Sequence, residues 1–210
     1  MSISVVPLTL GPMDNNTYLL ADPISKQAAV IDPSFDPQPV LDTVREQGWQ
    51  LTAIWLTHAH FDHIAGVAAI AAAFSPPLPV GLHPDDLDLW RSGGGARRFG
   101  LQNDPGPEPT VLFSHGQQLA LGNERIEVRH TPGHSPGHVV FYAPQNAAAV
   151  CGDLIFHRSV GRTDLPGSSH SRLLHSILQH IFSLPPETRL LPGHGAPTTV
   201  GEEQRENPFL

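Results

Sequence analysis

Short apolar runs bounded by turn-forming residues make up most of the first third of the chain and predict β-strands. Pairs such as Gly11-Pro12 and Asp22-Pro23 separate these runs, as expected for strands joined by turns. The predicted strands are Ser2–Leu10, Thr17–Ala21, Ala28–Ile31 and Leu51–Leu56. Two helical patterns accompany them, Val40–Gln47 before Gly48 and the alanine-rich Ile64–Phe74. This part of the chain therefore predicts an antiparallel or mixed sheet with helices packed on it.

The rest of the chain repeats this order of strands followed by a helix. The predicted strands are Leu78–Leu82, Val111–Phe113, Gln118–Leu121, Arg125–His130, Val139–Tyr142, Ala147–Cys151 and Arg189–Leu191. The clearest helix is Ser168–Leu184, which has apolar residues at 173, 174, 177, 178, 181 and 182 and a serine to cap its start. His175 and His180 lie off this apolar stripe and are expected to be exposed. Glu202–Leu210 is predicted to be a polar tail.

Residues 83–110 have little periodicity and predict a long connection. Asp85–Trp90 is a candidate short helix, and Gly93-Gly94-Gly95 is typical of turns. Loops of this length often serve as lids or binding loops. Trp90 and Phe99 either line a pocket or anchor the loop to the core, and the pattern leaves both interpretations open.

Composition bounds the class of protein. The length of 210 residues suits one domain spanning residues 1–210, and the net charge of −8 argues against nucleic acid as a partner. No apolar run reaches the length of a membrane span, and the N-terminus lacks a signal-peptide pattern. Cys151 is the only cysteine, which excludes an internal disulfide and favours a cytoplasmic protein. We expect Cys151 to be a small core residue.

A cluster of metal-ligating residues follows the predicted strand Leu51–Leu56. His58, His60, Asp62 and His63 occupy four of six consecutive positions on the connection from this strand to the next helix. Imidazole nitrogens and a carboxylate suit zinc, iron or manganese. In an extended His-x-His segment both rings point to the same side, so His58 and His60 can bind one ion. Asp62 and His63 lie beyond the bend and can face a second ion.

Three later segments place a further ligand at a glycine-bearing turn after a predicted strand. They are Thr131-Pro132-Gly133-His134, Gly152-Asp153 and Pro192-Gly193-His194-Gly195. Side chains on loops at strand ends are well placed to converge. The count predicts two divalent ions: His58, His60 and His134 for one, Asp62, His63 and His194 for the other, and Asp153 between them. Neighbouring His130 and His138 are expected to be packing or supporting residues rather than ligands.

The ordered set His-x-His-x-Asp-His, Thr-Pro-Gly-His, Gly-Asp and Pro-Gly-His-Gly resembles the metallo-β-lactamase superfamily over nearly the whole chain. The resemblance implies an α/β fold, the four-layer αβ/βα sandwich, in which two mixed sheets are flanked by helices. It also implies a two-metal site at one edge of the sandwich.

Within this superfamily the chain is most similar to the short bacterial type II glyoxalases, the hydroxyacylglutathione hydrolases. Thr131–His138, Gly152–Phe156, Gly161–Asp164 and the ending Asn207–Leu210 carry this similarity. The longer enzymes have a C-terminal helical domain that helps to hold glutathione, and we expect none here. Where those enzymes have a lysine for glutathione, this chain has Arg162, which either contacts substrate or braces its loop through Asp164 or Asp153.

The similarity implies hydrolysis of thioesters of the S-D-lactoylglutathione type by a hydroxide on two ions, most simply zinc. Asp62 and Asp153 are the candidate catalytic carboxylates. A thiolate leaving group has a pKa near about 8.5 and needs little help from a general acid. Alternatives of the same fold are a persulfide dioxygenase with a single iron, a lactonase, a β-lactamase or a phosphodiesterase. A protein that holds metal without turnover is a further alternative. The expected partner is a small-molecule thioester, with no nucleic acid and no membrane.

Overall fold

Two six-stranded mixed sheets lie face to face within residues 3–210, which the computed structural model describes. In spatial order, the first sheet contains β1 (Ser4–Leu10), β2 (Asn15–Ala21), β3 (Gln27–Ile31), β4 (Gln50–Trp55), β5 (Val80–Leu82) and β6 (Val111–Leu112). The second contains β14 (Thr198–Thr199), β13 (Arg189–Pro192), β10 (Ala148–Gly152), β9 (Val139–Ala143), β8 (Glu124–His130) and β7 (Gln118–Leu121). A small hairpin pairs β11 (Ile155–Phe156) with β12 (Ser159–Val160). Ser2, which the prediction assigned to the first strand, lies outside the described residues.

Helices cover the outer face of each sheet. They are α1 (Gln38–Glu46), α2 (Phe61–Ile64), α3 (Val67–Ala72), α4 (Leu87–Arg91), α5 (His170–Ser176, continued by a π-helical turn over Ile177–Ile181) and α6 (Val200–Glu206). Short 3₁₀ turns span Pro84–Asp86, Ala96–Phe99 and Pro144–Asn146. None of the helices between residues 3 and 210 has the length and apolar character that crossing a membrane demands.

The apolar side chains form three clusters, which produce the four layers. Strand β2 is buried on both faces: Leu19 packs towards the helices, whereas Leu20 packs towards the other sheet. Strand β9 does the same, with Phe141 between the sheets and Tyr142 under α5 and α6. Successive side chains of a strand point to opposite faces, so a continuously apolar strand requires a packed layer on each side. The predicted αβ/βα sandwich with two mixed sheets is confirmed.

The predicted helix Ile64–Phe74 is wrong in its bounds, because the chain forms two short helices, α2 and α3, separated at Gly66. The Gly66 amide donates to the Pro33 carbonyl at 2.9 Å, and a Cβ at this position would overlap the Ser34 carbonyl. The close approach of another chain segment therefore stops the first helix. The apolar pattern alone did not reveal this contact.

The predicted polar tail Glu202–Leu210 is also wrong, because α6 runs from Val200 to Glu206. The Thr199 hydroxyl caps this helix by accepting from the Glu202 amide at 3.2 Å. Glu203 is buried, and its carboxylate accepts from Thr198 Oγ1 and Asn207 Nδ2 at 2.6 and 2.7 Å. Polar contacts hold this helix in place, so it lacks the apolar periodicity that sequence patterns detect.

The long predicted helix is confirmed from Ser169, whose hydroxyl caps it, but its second half departs from α-helical spacing. The Phe182 amide donates to the Ile177 carbonyl at 2.9 Å, five residues back, as in a π-turn. The wider turn shifts the apolar stripe, so Leu178 is 52% exposed although it was expected to be buried. His175 is exposed as predicted, whereas His180 is half-buried against the ring of His115, and its expected exposure is wrong.

Candidate metal centre

The predicted ligands meet at the edge where β4 of the first sheet and β8, β10 and β13 of the second sheet end. Strand β4 leads to His58–His63, and His60 is the residue directly before α2. The loop after β8 carries His134, and the turns after β10 and β13 carry Asp153 and His194. Loops from four strand ends therefore bring all seven residues to one place, although these residues span 137 positions from 58 to 194.

Two groups of three side chains form within this set. His58, His60 and His134 place one ring nitrogen each within 4.8 Å of one another, and Asp62, His63 and His194 form a similar group. Asp153 lies between the groups: its Oδ1 is 3.3 Å from His63 Nε2. Its Oδ2 is 3.7 Å from His134 Nε2 and 3.8 Å from His194 Nε2. The two groups match the two predicted ligand sets, and the ligand role of each residue stays a prediction.

The far nitrogen of four of these histidines is fixed by a hydrogen bond. His134 Nδ1 donates to the Arg162 carbonyl at 2.9 Å, and His194 Nδ1 donates to the Met13 carbonyl at 3.1 Å. His63 Nδ1 donates to Asp32 Oδ2 at 3.0 Å, and His58 Nδ1 lies 3.0 Å from Thr57 Oγ1. Such bonds to the far nitrogen fix the orientation of each imidazole ring.

Several buried polar atoms at the centre have no hydrogen-bond partner among the described residues. They include His58 Nε2, His63 Nε2 and Asp153 Oδ1, which belong to members of the two groups and to the carboxylate between them. Leaving a buried polar atom unsatisfied costs free energy, and native proteins rarely do so. Nitrogen and carboxylate donors pointing at a shared space suit divalent cations, so the residues fit a pair of metal ions.

The electrostatics favour the cation-binding forms of His58, His60 and the two carboxylates, whereas His63 and His194 differ. Burial lowers the pKa of His63 and of His194, but Asp153 and Asp62 outweigh burial and raise both pKa values. Burial, reinforced by the neighbouring imidazoles, holds the pKa of His58 well below its usual range and lowers that of His60 to about 3. Burial alone would raise the pKa of Asp62 and of Asp153, but His63 outweighs it and both carboxyls have lowered pKa values. His58 and His60 are thus neutral imidazoles, and the carboxylates are ionised.

The centre also depends on buried residues that the sequence analysis did not select. Asp32 accepts from the Thr57 amide at 2.7 Å and from Thr57 Oγ1 at 2.5 Å, so it supports both His58 and His63. Asn15 donates through Nδ2 to Asp62 Oδ2 at 2.9 Å. The parallel pairing of Ile31 with Trp55 brings Asp32 beside the histidine loop, and no local pattern encodes that pairing.

Asp86 is a further missed residue, and it joins two ligand-bearing loops. Its buried carboxylate accepts from the Ala59 amide at 3.0 Å, Ser135 Oγ at 2.7 Å and the Gly137 amide at 2.6 Å. Ala59 lies between the first two histidines and Ser135 follows His134. Burial raises the pKa of Asp86 even though these donors lower it in part.

Arg162 lies at the border of the centre and already has a carboxylate partner. Its Nε and Nη2 donate to the two oxygens of Asp164 at 2.7 and 2.8 Å, which is one of the two predicted alternatives. The guanidinium holds the pKa of Asp164 at about 2. The backbone carbonyl of Arg162 fixes His134, as described above. A contact between Arg162 and substrate stays a prediction.

The other histidines near the centre do not belong to either group of three. His138 is buried, with its ring centroid 5.3 Å from that of His58 and Nδ1 2.9 Å from Thr131 Oγ1. His130 stacks on His83 at 3.8 Å and donates through Nε2 to the Pro136 carbonyl. Although His83, Asp85 and His130 lie close together, parallel stacked rings cannot both aim their in-plane lone pairs at one ion.

Comparisons with known proteins agree with this geometry. The family model described as "Metallo-beta-lactamase superfamily" matches residues 10–194. The chain is 34% identical to the hydroxyacylglutathione hydrolase GloC of Haemophilus influenzae, over 100% of this chain and 98% of that protein. It is similar to the crystal structure of the BLEG-1 B3 metallo-beta-lactamase, with 37% identity, a TM-score of 0.92 and 99% of each chain covered.

A third similar protein is described as a metal-containing structure. It is TTHA1623 in a di-iron-bound form, with 46% identity and a TM-score of 0.89, covering 98% of this chain and 100% of that one. Because the family model spans well over half of the chain and the relatives align over almost their full length, this protein belongs to the metallo-β-lactamase superfamily.

Proposed function

We propose that this protein is a metal-dependent hydrolase that cleaves thioesters of the S-D-lactoylglutathione type. The observation that carries the proposal is the convergence of seven nitrogen and carboxylate donors, three of which have a buried atom without a hydrogen-bond partner among residues 3–210. The name of the GloC relative, a hydroxyacylglutathione hydrolase, supports the thioester class. The donor set suits zinc, and iron or manganese would fit the same atoms.

His58, His60 and His134 would hold one ion, Asp62, His63 and His194 the other, and Asp153 would contact both. When bound, two such ions lower the pKa of a shared water and neutralise charge that develops on the substrate carbonyl. Asp62 accepts a hydrogen bond from Asn15 Nδ2, which directs its carboxylate towards His194 at 3.3 Å. In that position Asp62 orients the attacking water. Asp32 keeps His63 from rotating by accepting a hydrogen bond from its Nδ1–H group.

A thiolate leaving group removes the need for a general acid. A thiolate with a pKa near about 8.5 departs without a proton from a general acid. The mechanism therefore requires no further titratable side chain on the leaving-group side. We also propose a cytoplasmic location, because the chain carries a single cysteine and so forms no internal disulfide.

The test is hydrolysis of a panel of thioesters by protein stripped with a chelator and then reloaded with zinc, iron or manganese, with elemental analysis of each sample. We expect negligible activity without metal and full activity near two ions per chain. Full activity at one ion per chain would contradict the paired centre. Activity on no thioester would contradict the substrate class.

β-Lactam hydrolysis is a second candidate, because the BLEG-1 structure is described as a B3 metallo-beta-lactamase. Both reactions add water to an acyl carbon, so one centre suits either. Nitrocefin in the same assay, and oxygen consumption with glutathione persulfide for the dioxygenase alternative, separate the candidates. We expect the thioester to be the preferred substrate.

A further inference from the structure

A large cavity opens beside the metal centre at His60. Its volume is about 1010 Å³, and we refer to it as the side cavity. One wall is formed by the connection after α4, including the 3₁₀ turn Ala96–Phe99, and the opposite wall includes Pro136 and Leu165. A substrate whose reacting carbonyl lies at the metal centre would therefore extend into this space.

The wall that carries the 3₁₀ turn is fixed to the metal-binding motif. The Phe61 amide, between His60 and Asp62, donates to the Gly94 carbonyl at 3.0 Å. Gly94 has φ +69°, and a Cβ there would lie 2.6 Å from Phe61 Cα and 2.8 Å from the Ala59 carbonyl oxygen. Trp90 is fully buried and anchors the preceding helix. The side chains of this wall therefore have a fixed position relative to the metal-binding motif.

This wall presents two arginines without acidic partners. Arg97 and Arg98 line the side cavity and are exposed, and within residues 3–210 neither guanidinium has a carboxylate at ion-pair distance. Arg91 on the same wall differs, because it pairs with Glu108 at 3.1 Å. Among residues 3–210, Arg97 and Arg98 are therefore the two cavity-lining arginines whose guanidinium groups are available to a ligand.

The rest of the cavity is both apolar and acidic. Phe99 is 50% exposed, lines the cavity, and has its ring 5.3 Å from that of Phe61, so it offers an apolar surface on the same wall as the arginines. Asp85, Asp88 and Asp104 also line the cavity. A ligand with carboxylates and an ammonium group, joined by a short uncharged chain, complements this mixture of charges. Peptide thiols have this chemistry.

We propose that Arg97 and Arg98 bind the carboxylates of the thiol half of the substrate and so determine which thioesters are cleaved. This inference rests on the proposed thioester hydrolysis and deepens it. Each guanidinium can hold a carboxylate through two parallel hydrogen bonds. Arg162, in contrast, already makes this bidentate contact with Asp164. The specificity site is thus on the wall formed by Ala96–Phe99.

The test compares Arg97→Gln, Arg98→Gln and the double variant with wild type on two substrates. One is S-lactoylglutathione, whose carrier bears carboxylates, and the other is S-lactoyl-N-acetylcysteamine, whose carrier bears none. Arg125→Gln is the matched control, since it removes an equally exposed guanidinium from β8, outside the cavity. For the double variant we expect at least about a tenfold rise in KM on the glutathione substrate and little change in kcat. We expect no change on the neutral carrier, and no effect of Arg125→Gln on either substrate.

A binding measurement makes the outcome independent of turnover. Calorimetric titration with S-methylglutathione, a thioether that cannot be hydrolysed, should give about tenfold weaker binding for the double variant and unchanged binding for Arg125→Gln. Equal losses on both carriers, or unaltered affinity for S-methylglutathione, would overturn the role of these arginines. If wild type cleaves no thioester, the proposed function fails. The calorimetry would then still decide whether Arg97 and Arg98 bind a carboxylate-bearing thiol.

Discussion

The metal centre and the side cavity differ in how their polar side chains are held. At the centre, His63 and His134 are buried and each donates its far nitrogen to a fixed acceptor. On the cavity wall, Arg97 and Arg98 are exposed and have no ion-pair partner among residues 3–210. Preorganised groups suit the chemical step, whereas free groups on a fixed wall suit recognition of a ligand. The contrast indicates that reaction and specificity are located on separate parts of the molecule.

The cavity wall is joined to the metal-binding motif by a backbone hydrogen bond, in which the Gly94 carbonyl accepts from the Phe61 amide. Substitution of Arg97 or Arg98 leaves this hydrogen bond in place. Substitutions in the two regions should consequently have different kinetic signatures, which the following predictions test from the largest expected effect to the smallest.

The largest effect is expected at Asp153, the one proposed ligand that lies near both groups. Asp153→Ala should lower kcat by at least about a hundredfold, more than His194→Ala, because replacing a mere supporting residue of a metal site already costs about 10- to 100-fold. Elemental analysis should find less metal in Asp153→Ala than in His194→Ala. Equal or reversed losses would remove the bridging role of Asp153.

The next effect concerns Asp86, which supports the centre without belonging to the ligand set. Asp86→Ala leaves three donors without their acceptor and should reduce the free energy of unfolding by about 3 kcal/mol. Asp86→Asn keeps one carbonyl oxygen and should lose less. Urea unfolding of the metal-free proteins measures both. A destabilisation below about 1 kcal/mol for Asp86→Ala would mean that water replaces the carboxylate.

A smaller effect is expected at Arg162, which borders both regions. Its side chain bonds to Asp164, but only its backbone carbonyl contacts His134. We expect Arg162→Met to change kcat/KM less than about threefold on glutathione and neutral thioesters alike, because exposed ion pairs contribute at most about 1 kcal/mol. A large rise in KM confined to glutathione substrates would instead show that Arg162 contacts the carrier. Loss of metal would show that the side chain braces the loop.

The smallest effect is expected at Asp22. This carboxylate accepts several hydrogen bonds away from the proposed metal ligands, so it serves as a reference for the carboxylates of the metal centre. The Asn123 and Ile24 amides, with Ser25 Oγ, lower the pKa of Asp22 from 3.8 to about 2. A lowered pKa in the folded state stabilises the protein fully above about pH 4, and this contribution is lost as the pH falls towards 2. Asp22→Asn should therefore lower the urea midpoint at pH 6.

The difference in urea midpoint between wild type and Asp22→Asn should be smaller at pH 3 than at pH 6. Asp42→Asn, which changes an exposed carboxylate on α1, controls for the loss of one negative charge. A difference that stays constant between pH 6 and pH 3 would contradict the contribution of the ionised Asp22. Chemical unfolding monitored by tryptophan fluorescence at each pH provides the measurement.

The sequence by itself determined the fold class and the candidate ligands. Histidine and aspartate next to glycine at strand ends are local features, and their order along the chain is specific, so His58, His134 and Asp153 could be selected without a structure. The strands could be predicted for the same reason, because alternation and turn residues act over a few positions. For Trp90 and Phe99 the sequence offered two roles, and the structure assigns burial to Trp90 and cavity exposure to Phe99.

Only the tertiary structure decided which polar residues support the centre and where a substrate would lie. Asp32, Asp86 and Asn15 meet partners 25, 27 and 47 residues away, and nothing in their immediate neighbours encodes those contacts. The break at Gly66 and the shifted end of α5 likewise depend on packing and on hydrogen bonds that a periodic pattern does not contain. From the sequence alone, Arg97 and Arg98 are residues of a long connection. Only the hydrogen bond between the Phe61 amide and the Gly94 carbonyl shows that this connection lies beside the metal-binding motif. The physical reason is the same in each case: local preferences fix the elements, but long-range hydrogen bonds and close contacts fix what those elements bring together.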